Sequence, residues 1–121
     1  MNQERNNILV IDDDPGIRQM MQDVLEIYGY NVLTACDGGQ GISTLTSMKH
    51  PPSVIVLDLM MPGLNGWDFL DFQRNNPQYA DVPVVICSAY GESAKSVRAQ
   101  KVLVKPVKLD SLVGAVRTYC V

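Results

Sequence analysis

The chain has 121 residues, 46% of them hydrophobic, which suits one domain with a single continuous core and excludes a two-domain enzyme. Thirteen acidic against ten basic residues give a formal charge of −3, and the Lys and Arg are scattered, not gathered into a block that could neutralise phosphates, which argues against nucleic acid as a direct partner. No apolar run approaches the ~18–20 residues that cross a bilayer, and the opening MNQERNN lacks the regions of a signal peptide, so a soluble, cytoplasmic protein is expected.

In chain order, the first apolar run is ILVI at 8–11, followed by three acids, Asp12, Asp13 and Asp14. Ile17, Met20, Met21, Val24, Leu25 and Tyr28 then recur at helical spacing, a stripe expected to face a core, and Gly29 is expected to end that helix. NVLTAC at 31–36 reads as a second strand, and Ile42, Leu45 and Met48 signal a helix after Gly39 more weakly. SVIVLD at 53–58 is a third strand, with a helix after Asn65 carried by Trp67 and Leu70. PVVICS at 83–88 is the fourth, a weak helical segment follows over 92–100, KVLV at 101–104 is the fifth, and Leu109, Leu112, Val113 and Val116 mark a last helix. Each run is short, apolar and bounded by turn residues, so each reads as a strand buried on both faces.

Three cysteines, Cys36, Cys87 and Cys120, are an odd number with no C-x-x-C spacing, and the first two close apolar runs, so reduced structural thiols are expected. The lone His50 stands beside Pro51 and Pro52 with no Cys near it, which disfavours zinc.

Strands alternating with helices give a parallel sheet covered on both faces, and such sheets bind ligands at the carboxyl ends of their strands. The polar residues at those ends are Asp12, Asp13 and Asp14, Asp58, Ser88 and Lys105. Clustered carboxylates repel one another unless a cation compensates them. Mg²⁺ suits an oxygen-only donor set, and Lys105 supplies a second positive charge. A carboxylate nucleophile, a divalent ion, an ammonium and a hydroxyl together are what phosphoryl transfer requires. Taken singly, the same residues have plainer readings. Asp12–Asp14 could cap a helix beginning at Pro15, a role assigned to Asp14, while Ser88 could be a turn residue and Lys105 a solvated charge before Pro106. Asp58 follows VIVL with no cap position directly after it and resists such a reading.

The segments ILVIDDDPGIR, VIVLDLMMPGLNGWDFL, VVICSAYG and VLVKPV resemble the receiver domain of two-component response regulators, with similarity running from Asn7 to Tyr119. The resemblance implies one receiver domain over residues 1–121 with a flavodoxin-like α/β three-layer sandwich: a five-stranded parallel sheet in order 2-1-3-4-5, helices on both faces. It implies that Asp58 accepts a phosphoryl group from the phosphohistidine of a sensor histidine kinase or phosphotransfer protein. Mg²⁺ would be bound by Asp13 directly, by Asp12 mainly through water, by Asp58 and by the backbone carbonyl of Met60. Ser88 and Lys105 would contact the phosphoryl group, with a cis bond before Pro106 aiming the lysine inward. Such a domain is not an enzyme on an outside substrate; it assists only its own aspartyl phosphorylation and dephosphorylation. Charge added at Asp58 would pull Ser88 and Lys105 inward and alter the face formed by the fourth helix, fifth strand and fifth helix, where a downstream protein or effector domain docks, without nucleic acid or membrane contact.

The sequence also departs from the family pattern. Val102 stands where an aromatic is usual, the 17 positions from Ser88 to Lys105 are fewer than usual and so imply a short or displaced fourth helix, and Lys108 replaces a common helix-capping Asp. Two rivals remain. One is a haloacid-dehalogenase-type hydrolase, suggested by the D-x-D spacing of Asp12 and Asp14 but lacking a late acidic pair and a role for Asp58. The other is a receiver that binds partners without being phosphorylated.

Overall fold

The structure is a computed structural model, and it describes residues 6–59, 61, 63, 65–89 and 101–120. Five strands, β1 (Asn7–Ile11), β2 (Asn31–Ala35), β3 (Val54–Asp58), β4 (Val84–Ser88) and β5 (Lys101–Val104), form one parallel sheet in the order β2-β1-β3-β4-β5. Four helices are described: α1 (Pro15–Ile27), α2 (Gly38–Ser47), α3 (Gly66–Arg74) and α4 (Leu109–Tyr119). The helical segment expected over 92–100 lies outside the described residues.

Alternation along the strands sorts the core into two layers. Leu9, Ile11, Ile55, Leu57 and Ile86 pack with Leu45 of α2 and Phe69 and Leu70 of α3. Ile8, Val10, Val54, Val56, Val85 and Cys87 point the other way, onto Met21 and Leu25 of α1 and Leu112, Val113 and Val116 of α4. The central strands β1, β3 and β4 are buried on both faces almost throughout, as their unbroken apolar runs require.

Two expectations need correction. β2 and β5 are the edge strands, each hydrogen-bonded on one side only, and neither is buried on both faces: Asn31 and Lys101 are exposed and Val104 is 58% exposed. The α1 stripe is also narrower than its periodicity suggested. Met21 and Leu25 are buried and Ile17 and Val24 partly so, but Met20 and Tyr28 are 43% and 53% exposed, because they lie on the flanks of the stripe.

Local sequence sets the helix ends. Asp14 caps α1, its Oδ1 accepting from the amides of Gly16 (2.9 Å) and Ile17 (3.1 Å), with Pro15 at the first helical position. Gly29, at φ +94°, follows the C-cap of α1 in a left-handed conformation that suits glycine best. Asn65 opens α3 in a capping box: its Oδ1 accepts from the Asp68 amide (3.0 Å) while Asp68 Oδ2 accepts from the Asn65 amide (3.4 Å). Lys108 precedes α4 without any side-chain cap, as its chemistry dictates. No described helix is long and apolar enough to cross a membrane.

Candidate functional site

Register places the polar strand ends side by side. Ile11 pairs with Leu57, so Asp12 and Asp58 emerge next to each other; Asp58 pairs with Cys87, which puts Ser88 one residue further along; and Ser88 pairs with Val104, which delivers Lys105 to the same rim. The Lys105 amide donates to the Ser88 carbonyl at 2.8 Å, tying the last two segments together. The Lys105–Pro106 peptide bond is cis.

Asp12 is held from every side. Its Oδ1 accepts from the Asp14 amide (2.9 Å), its Oδ2 accepts from Lys105 Nζ (3.2 Å), its amide donates to the Ala35 carbonyl (3.1 Å), and its carbonyl accepts from the Arg18 guanidinium (2.8 Å). Lys105 Nζ lies equally 3.2 Å from Asp58 Oδ2, so one ammonium bridges two carboxylates that are 1% and 4% exposed. Asp13 is exposed, and carboxylate oxygens of Asp12, Asp13 and Asp58 all lie within 4.8 Å of one another. Ser88 is buried at the same edge. Burial disfavours the charge on Lys105, but attraction from Asp12 and Asp58, together with the hydrogen bonds they accept, outweighs it and holds the lysine pKa above its usual value.

Among the described residues, three carboxylates gather here against the Lys105 ammonium, with the Arg18 guanidinium held on the Asp12 carbonyl, so negative charge predominates. The donors are hard oxygens with no His or Cys among them, which fits a Mg²⁺-class ion and not zinc. Beside Asp58, on the paired strand β4, burial pushes the Cys87 thiol up to about 12, with Lys105 opposing the rise and Asp12 and Asp58 adding to it, so Cys87 serves as an uncharged core group. Cys36 and Cys120 are free thiols of intermediate burial, Cys36 less enclosed than the apolar run it closes implied.

The structure therefore brings Asp12, Asp13, Asp58, Ser88 and Lys105 to one rim. Met60, expected to offer a carbonyl, lies outside the described residues. Arg18 was not anticipated as part of this rim. Its signal was its place in the first turns of the helix that follows the acids, where a long side chain can reach back six residues to the end of β1.

Comparison with known proteins agrees with this geometry. The family model for the response regulator receiver domain matches residues 8–117. The DNA-binding response regulator MtrA of Mycolicibacterium smegmatis is 33% identical over 97% of this chain and 51% of its own length. The DNA-binding dual master transcriptional regulator RpaA of Synechocystis is 33% identical over 91% of this chain and 47% of its own length. The chain thus spans about half the length of the curated relatives it matches. Among solved structures, the chemotaxis response regulator CheY4 of Vibrio cholerae superposes with a TM-score of 0.86 at 28% identity, covering 96% of this chain and 99% of that one. Sheet order, the acidic rim and these similarities converge: the chain belongs to the response regulator receiver domain family of two-component systems.

Proposed function

We propose that this receiver domain, a single unit over residues 1–121, takes a phosphoryl group onto Asp58 from the phosphohistidine of a sensor histidine kinase or phosphotransfer protein. The observation that carries this reading is the Lys105 ammonium standing 3.2 Å from both Asp58 and Asp12, beside a third carboxylate. An Asp58 carboxylate oxygen forms the new P–O bond as the P–N bond to the donor imidazole breaks and the electron pair leaves with that ring. Lys105 offsets the charge of the transferred group and Ser88 donates a hydrogen bond to it. Water later returns the carboxylate and free phosphate, so the domain assists only its own modification and release and is not an enzyme on an outside substrate.

Asp12, Asp13 and Asp58, with the Met60 carbonyl, are the groups that would hold Mg²⁺. When bound, the ion would neutralise the negative charge that gathers during transfer. Both oxygens of Asp12 are already engaged, by the Asp14 amide and by Lys105, while Asp13 faces solvent. That division supports Asp13 as the direct ligand and Asp12 as one acting mainly through water.

Phosphorylation adds roughly one negative charge and three strong acceptor oxygens. Lys105 and Ser88 are joined through backbone at 2.8 Å, so a pull on either moves the ends of β4 and β5 together. Val102, partly buried against the core, offers no aromatic side chain to swing between surface and interior, so the change reaches the surface through those strand ends and the residues leading into α4. A protein target or effector domain contacted on that side, in the cytoplasm, is the proposed output, with no direct nucleic-acid contact by this domain. The test is labelling by acetyl phosphate with Mg²⁺, comparing wild type with Asp58→Asn. Label on the wild type and none on the variant supports the reading. Label surviving on Asp12 would favour a hydrolase, and an unlabelled wild type would favour a binding module.

A further inference from the structure

Gly66, the first residue of α3, lies against the end of β3. A methyl group built on Gly66 would lie 2.6 Å from Leu59 Cα, 2.7 Å from the Asp58 carbonyl oxygen and 3.0 Å from Leu59 Cδ2. The first two neighbours are backbone atoms and cannot rotate away as a side-chain tip can. The Gly66 amide also donates to the Leu59 carbonyl at 3.1 Å, so the first residue of α3 lies flat against the peptide that joins the phosphoacceptor to its successor. Phe69 and Leu70 anchor α3 in the core, and the Asn65–Asp68 capping box fixes its first turn. Any β-carbon at 66 therefore has to be relieved mainly at the 58–59 peptide, where β3 ends and its pairing with β4 stops at Asp58. A push that displaces the backbone there would carry the Cα of Asp58, and its carboxylate with it, relative to Asp12 and Lys105.

We propose that Gly66 is a positioning residue for the phosphoacceptor: its missing side chain lets α3 clamp the 58–59 peptide, and that clamp sets where Asp58 meets the metal ion and Lys105. The proposal rests on the reading of Asp58 as phosphoacceptor in a Mg²⁺ site.

The experiment compares wild type with Gly66→Ala, measuring Mg²⁺ affinity by calorimetry with the fluorescence of Trp67 as a second signal, and, in EDTA, amide exchange at Gly66. Two controls separate position from general weakening. Gly114→Ala changes a helical glycine with nothing within 4 Å. Leu70→Ala loosens α3 through its buried core face and leaves the glycine at 66 in place. The expected result is Mg²⁺ affinity lowered about 10- to 100-fold in folded Gly66→Ala, the range seen when outer-shell support of a ligand is lost, together with faster exchange at 66 in metal-free protein. Both controls should keep wild-type affinity. If Gly66→Ala does not fold, Asn65→Ala, which removes the cap that fixes the same turn, should show the same loss in weaker form, and unchanged affinity there overturns the proposal. Wild-type affinity in folded Gly66→Ala, or an equal loss in Leu70→Ala, also overturns it. A wild-type protein that neither binds Mg²⁺ nor is labelled at Asp58 would instead defeat the underlying reading.

Discussion

Replacing Asp13 by Asn should stabilise the metal-free domain while removing much of its response to Mg²⁺. Its carboxylate lies within 4.8 Å of those of Asp12 and Asp58. At that separation a like-charge pair costs about 3.5 kcal/mol at an effective dielectric of 20 and about 0.9 kcal/mol in water. Asp13 is exposed, which selects the lower end, and the Lys105 ammonium paired with both neighbouring carboxylates cancels part of each repulsion. The net relief is about 1 kcal/mol, which for a domain of this size raises Tm by about 4 °C. Mg²⁺ at one hundred times its Kd would stabilise wild type by about 2.7 kcal/mol, or roughly 10 °C, so the order of the two proteins should reverse. Scanning calorimetry in EDTA and in saturating MgCl₂, at matched ionic strength, reads both effects. A variant less stable than wild type in EDTA, or one that gains as much from Mg²⁺, would refute the electrostatic account of this rim.

Lys105→Ala should act in the opposite direction. It strips the common partner from two buried carboxylates, and since the lysine side chain is 20% exposed the loss should be about 1–3 kcal/mol, below the range for a fully buried pair, measured by urea unfolding in EDTA. The raised lysine pKa fixes the pH dependence: the stabilisation is fully present below the ordinary lysine value of 10.5 and fades as pH rises through the higher folded value, so the penalty should be constant from neutral to mildly alkaline pH. A penalty that vanishes by neutral pH would contradict the pairing. Thiol chemistry offers a further check. With burial holding Cys120 at about 11 and Cys87 at about 12, their thiolate fractions at pH 8 are about 10⁻³ and 10⁻⁴, so iodoacetamide should modify Cys36 first in native protein and Cys87 only on unfolding. Peptide mapping showing early modification of Cys87 would place that residue outside the core.

How far the sequence carried the reading depended on the range of the forces involved. The runs ILVI, VIVL and VVIC allow no solvent-facing side, so their burial on both faces was legible from them alone, though not which strands lie at the centre of the sheet. Convergence of Asp58, Ser88 and Lys105 followed from strand direction before any coordinates, because every parallel strand delivers its last residue to the same rim. Exposure of Val104 was not legible, since a short apolar run looks the same at an edge as in the middle and only pairing decides. The same holds for Met20 and Tyr28, where periodicity gave the stripe but not its width. Arg18 reaches back only six residues to the Asp12 carbonyl, so its place early in α1 was a local signal, whereas Gly66 meets the Asp58 carbonyl through the packing of α3 on the end of β3, which no local pattern encodes.

The most direct check of the account is chemical mapping of the phosphorylated residue. Protein treated with acetyl phosphate and Mg²⁺ and then with borohydride should yield homoserine at position 58 and at no other aspartate, and the product should disappear when EDTA replaces the metal. Homoserine at position 12 or 13, or its formation without a divalent ion, would contradict a pocket in which Lys105 and the neighbouring acids serve the carboxylate of Asp58.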